Sequence, residues 1–385
     1  MTVRVAHIAT VDVTLRVLLM GQLRAQRDAG FEVTGISAPG RWAAELEAEG
    51  IRHVPWLHAT RGWDPIEDLR AFGELLRILG RERFDVVHTH TAKPGVMGRI
   101  AARLRGVPVV VNTVHGFDAS PDHPLHRRAL FMGLEWLAAR FSDLELYQSS
   151  ADLSRARRLR MVDPPKAIVI GNGTDLRRFD PSTRNGRARE IRRDLGIPET
   201  AVVVGTIGRI VAEKGYREFF AAARAVRARN PEVRFLVVGD HDPAKADSIR
   251  SAELDEASID VTFTGWRDDM PDLLAMMDVF VLASWREGVP RSAIEAAAMG
   301  KPLVLSDIPG CRQVAREGKD AVFVPARDAA SLATAISDLV SDPDRTDALG
   351  RSARARALEW FDEERITELT IDRYEQLLGR ARVGR

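Results

Sequence analysis

The sequence predicts an α/β protein with two doubly wound parallel sheets, each in a domain of its own. Short apolar runs alternate with amphipathic stretches along nearly the whole chain, which is the pattern of repeated βαβ units. Some of these runs are continuously apolar, as at residues 107–111, and this is typical of strands that helices cover on both faces. At 385 residues, the chain is also longer than one hydrophobic core usually organises.

The predicted elements fall into two successive arrays. Strands of the first array are predicted at residues 3–9, 31–37, 53–57, 84–88, 107–114, 144–148 and 167–170. Strands of the second array are predicted at residues 201–207, 234–238, 261–264, 279–283, 302–306 and 321–324. Leucines at helical spacing predict the first intervening helix, at Leu15, Leu18, Leu19 and Leu23. Helices are also predicted after the last strand, at residues 328–340, 344–358 and 363–380.

A polar, turn-rich stretch at residues 180–186 predicts the domain boundary. We therefore expect an N-terminal domain at residues 1–182 and a C-terminal domain at residues 183–360. Residues 361–385 then form a final helix after the second domain.

Composition places the chain among ordinary globular proteins. Hydrophobic residues make up 45% of the sequence and charged residues 29%, as in soluble domains. The formal charge of +1 provides no general attraction for nucleic acid, so no such partner is expected. Cys311 is the single cysteine, which excludes an internal disulfide and fits a reducing compartment. The first residues lack the basic and apolar segments of a signal peptide, which predicts a cytoplasmic protein. No run of about 18 apolar residues is present, so no membrane-spanning helix is expected.

Two glutamates, Glu287 and Glu295, are separated by seven residues at a predicted strand-to-helix junction. The strand at residues 279–283 ends before them, and a helix-like run begins at residue 292. Pro290 suits the first turn of that helix, because the N–H group that proline lacks has no helical partner there. A helix starting at this point directs its free N–H groups and its positive end toward an anion such as a diphosphate. Ionised carboxylates accept hydrogen bonds from hydroxyl groups, so the pair suits a sugar substrate.

A second strand-to-helix junction lies upstream and carries two cations. Residues 202–209 predict a buried strand that breaks into a glycine turn, and an amphipathic helix follows Gly215. Arg209 and Lys214 then share one loop. Fixed positive charges suit a departing diphosphate, because preorganised charge stabilises the charge that develops in a transition state.

The two motifs together resemble glycosyltransferase family 4, whose members are retaining enzymes with the GT-B fold. The residues that carry the resemblance are Gly208, Arg209, Lys214, Gly215, Glu287 and Glu295. The resemblance extends over nearly the whole chain and implies two Rossmann-like domains that face a central cleft. It also implies that the N-terminal domain binds the acceptor, that the C-terminal domain binds a nucleotide sugar, and that the final helix crosses back to the N-terminal domain.

Further segments resemble a bacterial branch of this family that assembles polysaccharides and lipid-linked saccharides, often from UDP-N-acetylhexosamines. They are residues 88–95, 113–117 and 290–292. The branch implies metal-independent transfer of an N-acetylhexosamine or a hexose from a UDP-sugar to a hydroxyl group of a saccharide or lipid-linked saccharide. The alternatives are a transferase for a small soluble acceptor and a non-catalytic protein that binds sugar nucleotides. A nicotinamide-dependent oxidoreductase is disfavoured, because no Gly-x-Gly-x-x-Gly motif follows an early strand.

By this resemblance the donor site lies in the C-terminal domain. Arg209 and Lys214 are expected to neutralise the departing diphosphate. Glu287 is expected to bind a hydroxyl of the transferred sugar, and Glu295 to bind the ribose. The further donor-binding residues are Gly208, Arg267, Gly288, Val289, Pro290 and Arg291. The diphosphate itself takes the proton of the acceptor hydroxyl, so no protein nucleophile, metal or other cofactor is expected.

Histidines lie at the carboxyl ends of two predicted strands of the first array, where parallel sheets bind ligands. His88 and His90 end one strand, and His115 follows the next. The resemblance implies that His115 is a catalytic residue that orients the sugar; the alternative is a capping or loop histidine. His88 and His90 also have the spacing of a metal-ligand pair, but no third ligand is evident in the sequence, and no metal is expected.

The acceptor-side residues follow the first and fourth strands. Asp12, Thr14 and Arg16 occupy the loop after the first strand, where many relatives carry a glycine pair. Asp12 is the candidate general base there. His90 and Lys93 follow the fourth strand, and Lys93 is either a contact for an anionic acceptor or an exposed lysine.

Two aspartates later in the chain, Asp240 and Asp242, superficially match a metal-binding motif of the other large glycosyltransferase fold. A strand-ending loop is the preferred interpretation. Trp266 follows another predicted strand, and both packing and base stacking are open to it.

Arginines crowd two predicted helices of the N-terminal domain. They are Arg127, Arg128, Arg155, Arg157, Arg158 and Arg160. A solvated arginine-rich face is one interpretation. The other is contact with anionic lipid or a phosphorylated acceptor, which would place the protein at the inner membrane surface.

Overall fold

The computed structural model describes residues 2–62, 64–116, 124–183, 186–243, 245 and 247–383. The chain divides into two compact units. Unit 1 comprises Met1–Asn172 and Glu363–Arg385, and unit 2 comprises Gly173–Asp362. This division lies before the boundary drawn from the sequence after residue 182. Residues 184 and 185 of the predicted boundary stretch lie outside the described residues.

Unit 1 contains a seven-stranded parallel sheet with the strand order β3-β2-β1-β4-β5-β6-β7. Its strands are β1 Arg4–Val11, β2 Glu32–Ala38, β3 Arg52–Pro55, β4 Val86–His90, β5 Val109–Val114, β6 Leu144–Tyr147 and β7 Ala167–Val169. Its helices are α1 Asp12–Thr14, α2 Met20–Asp28, α3 Ala43–Ala48, α4 Pro65–Glu82, α5 Ala92–Leu104, α6 Leu125–Ala138 and α7 Ser150–Arg158. The strand order reverses between β1 and β4, which is where doubly wound sheets bind ligands.

Helices cover both faces of this sheet, so successive residues of β1 enter different hydrophobic layers. Val5 packs with Tyr374 of the C-terminal helix, Glu363–Val383, in one layer. Ala6 packs with Leu75 of α4 in the other layer. The alternation follows from the period of two along a strand, and burial on both faces explains why these strands are continuously apolar.

Unit 2 contains a six-stranded parallel sheet with the strand order β10-β9-β8-β11-β12-β13. Its strands are β8 Val203–Ile207, β9 Arg234–Val238, β10 Val261–Phe263, β11 Val279–Leu282, β12 Leu303–Ser306 and β13 Ala321–Val324. Its helices are α8 Arg187–Asp194, α9 Tyr216–Arg227, α10 Ser251–Ala257, α11 Met270–Met276, α12 Arg291–Ala298, α13 Pro309–Val314, α14 Ala329–Ser341 and α15 Pro343–Trp360. Here the order reverses between β8 and β11, the two strands that precede the predicted motifs.

The predicted fold class is confirmed, since each predicted strand has a counterpart in one of two parallel sheets. Two local predictions were wrong. Pro290 precedes α12 as its N-cap residue instead of lying in its first turn. The predicted loop at residues 10–16 is not a loop: β1 continues to Val11 and helix begins at Asp12. Among the described residues, no helix is long and apolar enough to cross a membrane.

Candidate active site

Two loops meet in unit 2 at the edge of the sheet where β8 and β11 end. Gly215 has a positive φ of 74°, and a Cβ there would lie 2.0 Å from the carbonyl oxygen of Ala283. A Cβ on Gly310 would lie 2.1 Å from the carbonyl oxygen of Gly288. Glycine is required at both positions because backbone fills the space that a side chain would need. The first close approach holds the loops that carry the two predicted motifs against one another, and the second holds α13 against the turn before α12.

The central contact of this site is an ion pair between the two motifs. Nζ of Lys214 lies 2.6 Å from Oε1 of Glu287. The hydroxyl of Ser284 donates to the same oxygen from 2.7 Å. Both charged side chains are largely buried, so the pair is screened less than a surface ion pair.

The other predicted donor-site cations also contact carboxylates. Arg209 lies 3.4 Å from Asp242 and keeps 46% of its side chain exposed. Arg291 and Glu295 form an ion pair of 3.1 Å along α12. Gly288, Val289 and Pro290 form the turn into that helix, and proline has no side-chain acceptor with which to cap its first N–H groups.

Arg267 lies further along the same sheet edge, after β10. Its guanidinium donates to both carboxylate oxygens of Asp269, at 2.8 Å for Nε and 2.5 Å for Nη2. Asp240 accepts from the backbone N–H of Trp266 at 2.8 Å. Since Asp240 and Asp242 both contact protein groups, the geometry favours the strand-ending loop over a metal motif.

Sequence reasoning missed two residues that support this site. The hydroxyl of Tyr216 donates to the carbonyl oxygen of Gly208 at 2.6 Å, and burial raises the tyrosine pKa. Burial also raises the pKa of Glu213, but its bond to Lys245 and the positive charge of Arg286 outweigh this and lower it to about 2. Glu213 is thereby favoured as an anion and forms an ion pair of 2.9 Å with Arg286. One indication of a role for Glu213 was present in the sequence, because this residue directly precedes Lys214.

Unit 1 brings four histidines together: His7 lies within β1, His88 and His90 lie on β4, and His115 directly follows β5. Nδ1 of His7 lies 3.0 Å from Nε2 of His90, and Nδ1 of His90 lies 3.2 Å from Nε2 of His115. His88 bonds Tyr374 through Nδ1, at 2.5 Å. His7, His88 and His90 are fully buried, and their ring nitrogens lie within 4.8 Å of one another.

The sequence showed no third metal ligand beside His88 and His90, and the structure corrects this, because His7 completes a group with metal-compatible spacing. The nitrogens nevertheless have other partners. His88 bonds the hydroxyl of Thr113 through Nε2, at 2.7 Å, and His7 bonds Gln26 through Nε2, also at 2.7 Å. Hydrogen bonds within the protein therefore satisfy these rings without an ion.

Comparison with known proteins identifies the family. The family model described as "Glycosyltransferase Family 4" matches residues 17–178, and the model described as "Glycosyl transferases group 1" matches residues 201–342. A UDP-Gal:alpha-D-GlcNAc-diphosphoundecaprenol alpha-1,3-galactosyltransferase of Escherichia coli is 31% identical over 313 residues, 80% of each chain. The chain belongs to glycosyltransferase family 4.

Further relatives of this family 4 glycosyltransferase support the same assignment. An N,N'-diacetylbacillosaminyl-diphospho-undecaprenol alpha-1,3-N-acetylgalactosaminyltransferase of Campylobacter jejuni is 24% identical and spans 92% of this chain and 94% of its own. The crystal structure of Anabaena HepE with UDP and glucose superposes with a TM-score of 0.80 at 22% identity, over 96% of this chain and 99% of that one. The fold is GT-B.

The acceptor-side residues predicted for this glycosyltransferase are held by local contacts in unit 1. Asp12 is buried and accepts from the backbone N–H groups of Val13 and Trp42, both at 2.8 Å. Arg16 forms an ion pair of 2.6 Å with Glu45. Thr14 lies on α1 and is half-buried. The bonds to Asp12 favour a role in shaping the backbone over that of a general base.

Lys93 of this glycosyltransferase is buried rather than exposed. Its ammonium donates to the backbone carbonyls of Thr60, at 3.1 Å, and Gly62, at 2.5 Å, and forms an ion pair with Asp68. These contacts tie the segment after β3 to α5. The geometry therefore favours a supporting role for Lys93 over contact with an anionic acceptor.

Proposed function

We propose that this glycosyltransferase moves a sugar from a UDP-sugar to a hydroxyl of a lipid-linked saccharide, with retention of configuration. The transferred sugar is an N-acetylhexosamine or a hexose. The observation that carries the proposal is the contact between Lys214 and Glu287, which joins a cation for the diphosphate to a carboxylate for the sugar. The Escherichia coli and Campylobacter relatives are named for diphosphoundecaprenol acceptors, and HepE crystallised with UDP.

Glu287 can contact the groups on both sides of the bond that breaks, which joins the transferred sugar to the diphosphate. Its Oε1 accepts from Lys214 and Ser284, which leaves Oε2 for a hydroxyl of the transferred sugar. The ammonium of Lys214 then faces the diphosphate side. A carboxylate has about four acceptor positions, so one side chain can serve both partners.

The cations stabilise the leaving group. Lys214 and Arg209 face the diphosphate as negative charge develops on it. Stabilisation of developing charge by preorganised groups is usually the largest single contribution to catalysis. The start of α12 adds its dipole, and Glu295 takes the ribose hydroxyls. The acceptor hydroxyl attacks from the leaving-group face and passes its proton to the departing diphosphate. This route retains configuration without a protein nucleophile, a metal or a cofactor.

The donor assignment is tested by thermal stabilisation with UDP, GDP, ADP and NAD. A ligand at 100 times its dissociation constant stabilises the folded state by about 2.7 kcal/mol, so a selective shift with UDP is expected. If the thermal shift with UDP is lost in Lys214→Ala but kept in Arg217→Ala, the nucleotide binds at Lys214. Arg217 serves as the control because it pairs with Glu253 on the exposed side of α9. A preference for another nucleotide, or no shift at all, overturns the donor assignment.

The acceptor assignment is tested by transfer from the stabilising UDP-sugar to an undecaprenyl-diphosphate saccharide and to the same saccharide without lipid. Relatives named alpha-maltose-1-phosphate synthase and D-inositol 3-phosphate glycosyltransferase make soluble acceptors the second candidate. Transfer to the lipid-linked form alone is expected. Equal rates on both forms would assign the enzyme to soluble acceptors, and NMR of the product anomer decides retention against inversion.

We further propose that unit 1 contacts an anionic membrane surface through α6. Four large apolar side chains of this helix are exposed: Leu125 by 78%, Leu130 by 59%, Trp136 by 42% and Leu137 by 43%. At 100° per residue they fall on one side of the helix. Met132 borders this face, about 20° from Leu125 on the same projection, and packs against a buried cluster that includes Leu153 and Ala156 of α7.

Basic residues after α6 and on α7 complement anionic lipid. The guanidinium of Arg140 stacks on Trp136, and Arg157 and Arg158 are exposed on the neighbouring α7. Each basic residue near such a surface favours binding by about 1 kcal/mol. The Arg127 side chain, also expected in this group, lies outside the described residues.

Vesicle sedimentation tests this surface. The double variant Leu130→Ser, Trp136→Ser should lose binding to vesicles that contain phosphatidylglycerol, whereas Leu358→Ser, equally exposed on α15, should not. The face would instead belong to an interface with a second copy if three results coincide. The unaltered protein does not bind vesicles, it is dimeric by gel filtration, and the double variant is monomeric.

A further inference from the structure

A chain of hydrogen-bonded imidazoles runs through unit 1 and ends at His115. It starts at Gln26 on α2, whose Oε1 lies 2.7 Å from Nε2 of His7. Nδ1 of His7 then lies 3.0 Å from Nε2 of His90. Nδ1 of His90 lies 3.2 Å from Nε2 of His115. The side chain of Gln148, directly after β6, hydrogen-bonds the ring of His115.

Burial favours the neutral form of all three imidazoles of the chain. Burial lowers the pKa of His7 to about 4 and that of His115 to about 4. Burial and the neighbouring histidines hold the pKa of His90 well below its usual value. A neutral imidazole has one N–H donor and one lone pair. Rings bonded in series must therefore all donate in the same direction along the chain.

Gln26 decides that direction. Its Oε1 faces His7, so His7 donates from Nε2 and accepts at Nδ1 from His90. His90 in turn accepts at Nδ1 from Nε2 of His115. The amide nitrogen of Gln26 lies 3.4 Å from the hydroxyl of Tyr374, which is consistent with this orientation of the amide. The nitrogen of His115 that remains as an acceptor is Nδ1.

We propose that Gln26, His7 and His90 are positioning residues that fix the tautomer of His115, so that its Nδ1 accepts a hydrogen bond from a substrate hydroxyl. The chain orients His115 and does not conduct protons, because the amide of Gln26 at its buried end neither takes up nor releases one. That the hydroxyl belongs to a sugar rests on the function proposed above.

Nitrogen-15 NMR of histidine-labelled protein tests the tautomer directly, with His115→Asn identifying the signals of His115. We expect a protonated Nε2 and an unprotonated Nδ1. In His90→Phe the link is broken, and the two nitrogens should shift toward values averaged over both tautomers. His88→Phe is the control, since His88 is equally buried on β4 but bonds Tyr374 and Thr113. Its connection to the chain is indirect, through the 3.4 Å contact between Tyr374 and the amide nitrogen of Gln26.

Turnover should follow the tautomer. One oriented hydrogen bond corresponds to about tenfold in rate, or about 1.4 kcal/mol, so His90→Phe should lose about tenfold in kcat and His88→Phe much less. If His90→Phe fails to fold, Gln26→Glu and Gln26→Leu replace it. The carboxylate keeps an acceptor for His7 and should preserve the tautomer, whereas leucine should not.

Three results would overturn the proposal: a protonated Nδ1 on His115 in the unaltered protein, an unchanged tautomer in His90→Phe or Gln26→Leu, or equal mixing in His88→Phe. The NMR readout needs no substrate. An enzyme inactive with every UDP-sugar would therefore contradict the proposed function while leaving the tautomer result to stand by itself.

Discussion

Nζ of Lys214 lies 2.6 Å from Oε1 of Glu287, although the two residues are 73 positions apart in the chain. The contact connects the loop after β8 to the loop after β11, and Ser284 donates to the same carboxylate oxygen. A charged partner thus holds the ammonium in place before any diphosphate arrives. Preorganisation of this kind lowers the reorganisation that the transition state would otherwise require.

Replacing either cation should slow sugar transfer. We expect Arg209→Ala and Lys214→Ala to lower kcat by about 10²-fold or more, which corresponds to roughly 3 kcal/mol for one preorganised donor. Initial rates at saturating UDP-sugar measure the effect, and Arg217→Ala is the control for loss of an arginine on the same unit. Near-normal turnover in both variants would remove the two residues from the site.

Glu295 should matter for affinity more than for rate. Without its carboxylate, the ribose hydroxyls lose an ionised acceptor, and a hydrogen bond to a charged group contributes about 1.5–3 kcal/mol. Glu295→Ala should therefore weaken UDP binding by at least tenfold in calorimetry. Arg291→Ala separates this effect from the loss of the ion pair on α12, which both variants share. Unchanged UDP affinity in Glu295→Ala would move the ribose elsewhere.

Gly215→Ala should destabilise unit 2. The left-handed conformation costs an alanine roughly 1–2 kcal/mol, and its Cβ would lie 2.0 Å from the carbonyl oxygen of Ala283. We expect a loss of at least about 2 kcal/mol in urea unfolding. In Gly73→Ala, on α4, the Cβ meets nothing within 4 Å, so this control should be neutral or stabilising by up to about 1 kcal/mol. Equal stability of both variants would contradict the close approach of the two loops.

Acid should unfold the protein through its buried histidines. The pKa of His7 falls from 6.5 to about 4 on folding because of burial, so between these values the unfolded state binds more protons. Stability is complete above pH 6.5 and is lost as the pH falls toward 4, by up to about 1.4 kcal/mol per pH unit for each such histidine. Urea midpoints from pH 7 to 5 measure this slope.

His88→Phe provides the comparison for that slope, because burial also holds the pKa of His88 well below its usual value. The variant should be less stable than the unaltered protein at pH 7, since it loses two hydrogen bonds, but its stability should fall less steeply with acid. An identical slope in the two proteins would show that the pKa of His88 does not fall on folding.

Chelation should leave transfer intact. The proposed chemistry places Arg209 and Lys214 where a metal would otherwise neutralise the diphosphate. We expect initial rates to be unchanged in excess EDTA. Abolished activity, restored by one divalent ion, would instead direct attention to His7, His88 and His90, the group with metal-compatible spacing among the described residues.

The local sequence pattern was sufficient to predict the strands and helices, but it was insufficient to predict the contacts of individual side chains. The apolar runs at residues 201–207 and 279–283 predicted the strands Val203–Ile207 and Val279–Leu282, because burial on both faces requires such strands to be apolar. The same reasoning left Lys93 open between an acceptor contact and an exposed lysine. The structure buries it against Asp68 and Thr60, residues of a distant segment that no local pattern connects to it.

The sequence by itself determined the fold class, the two parallel sheets and the loops that carry Lys214 and Glu287, because hydrophobic periodicity and glycine placement are local properties. Tertiary structure alone decided which side chains meet. It joined Lys214 to Glu287, supplied His7 as the neighbour of His90, and brought Gln26 to the end of the imidazole chain. The physical reason is that strand order and register bring together residues far apart in the chain, and the pattern along one strand contains no record of its neighbours.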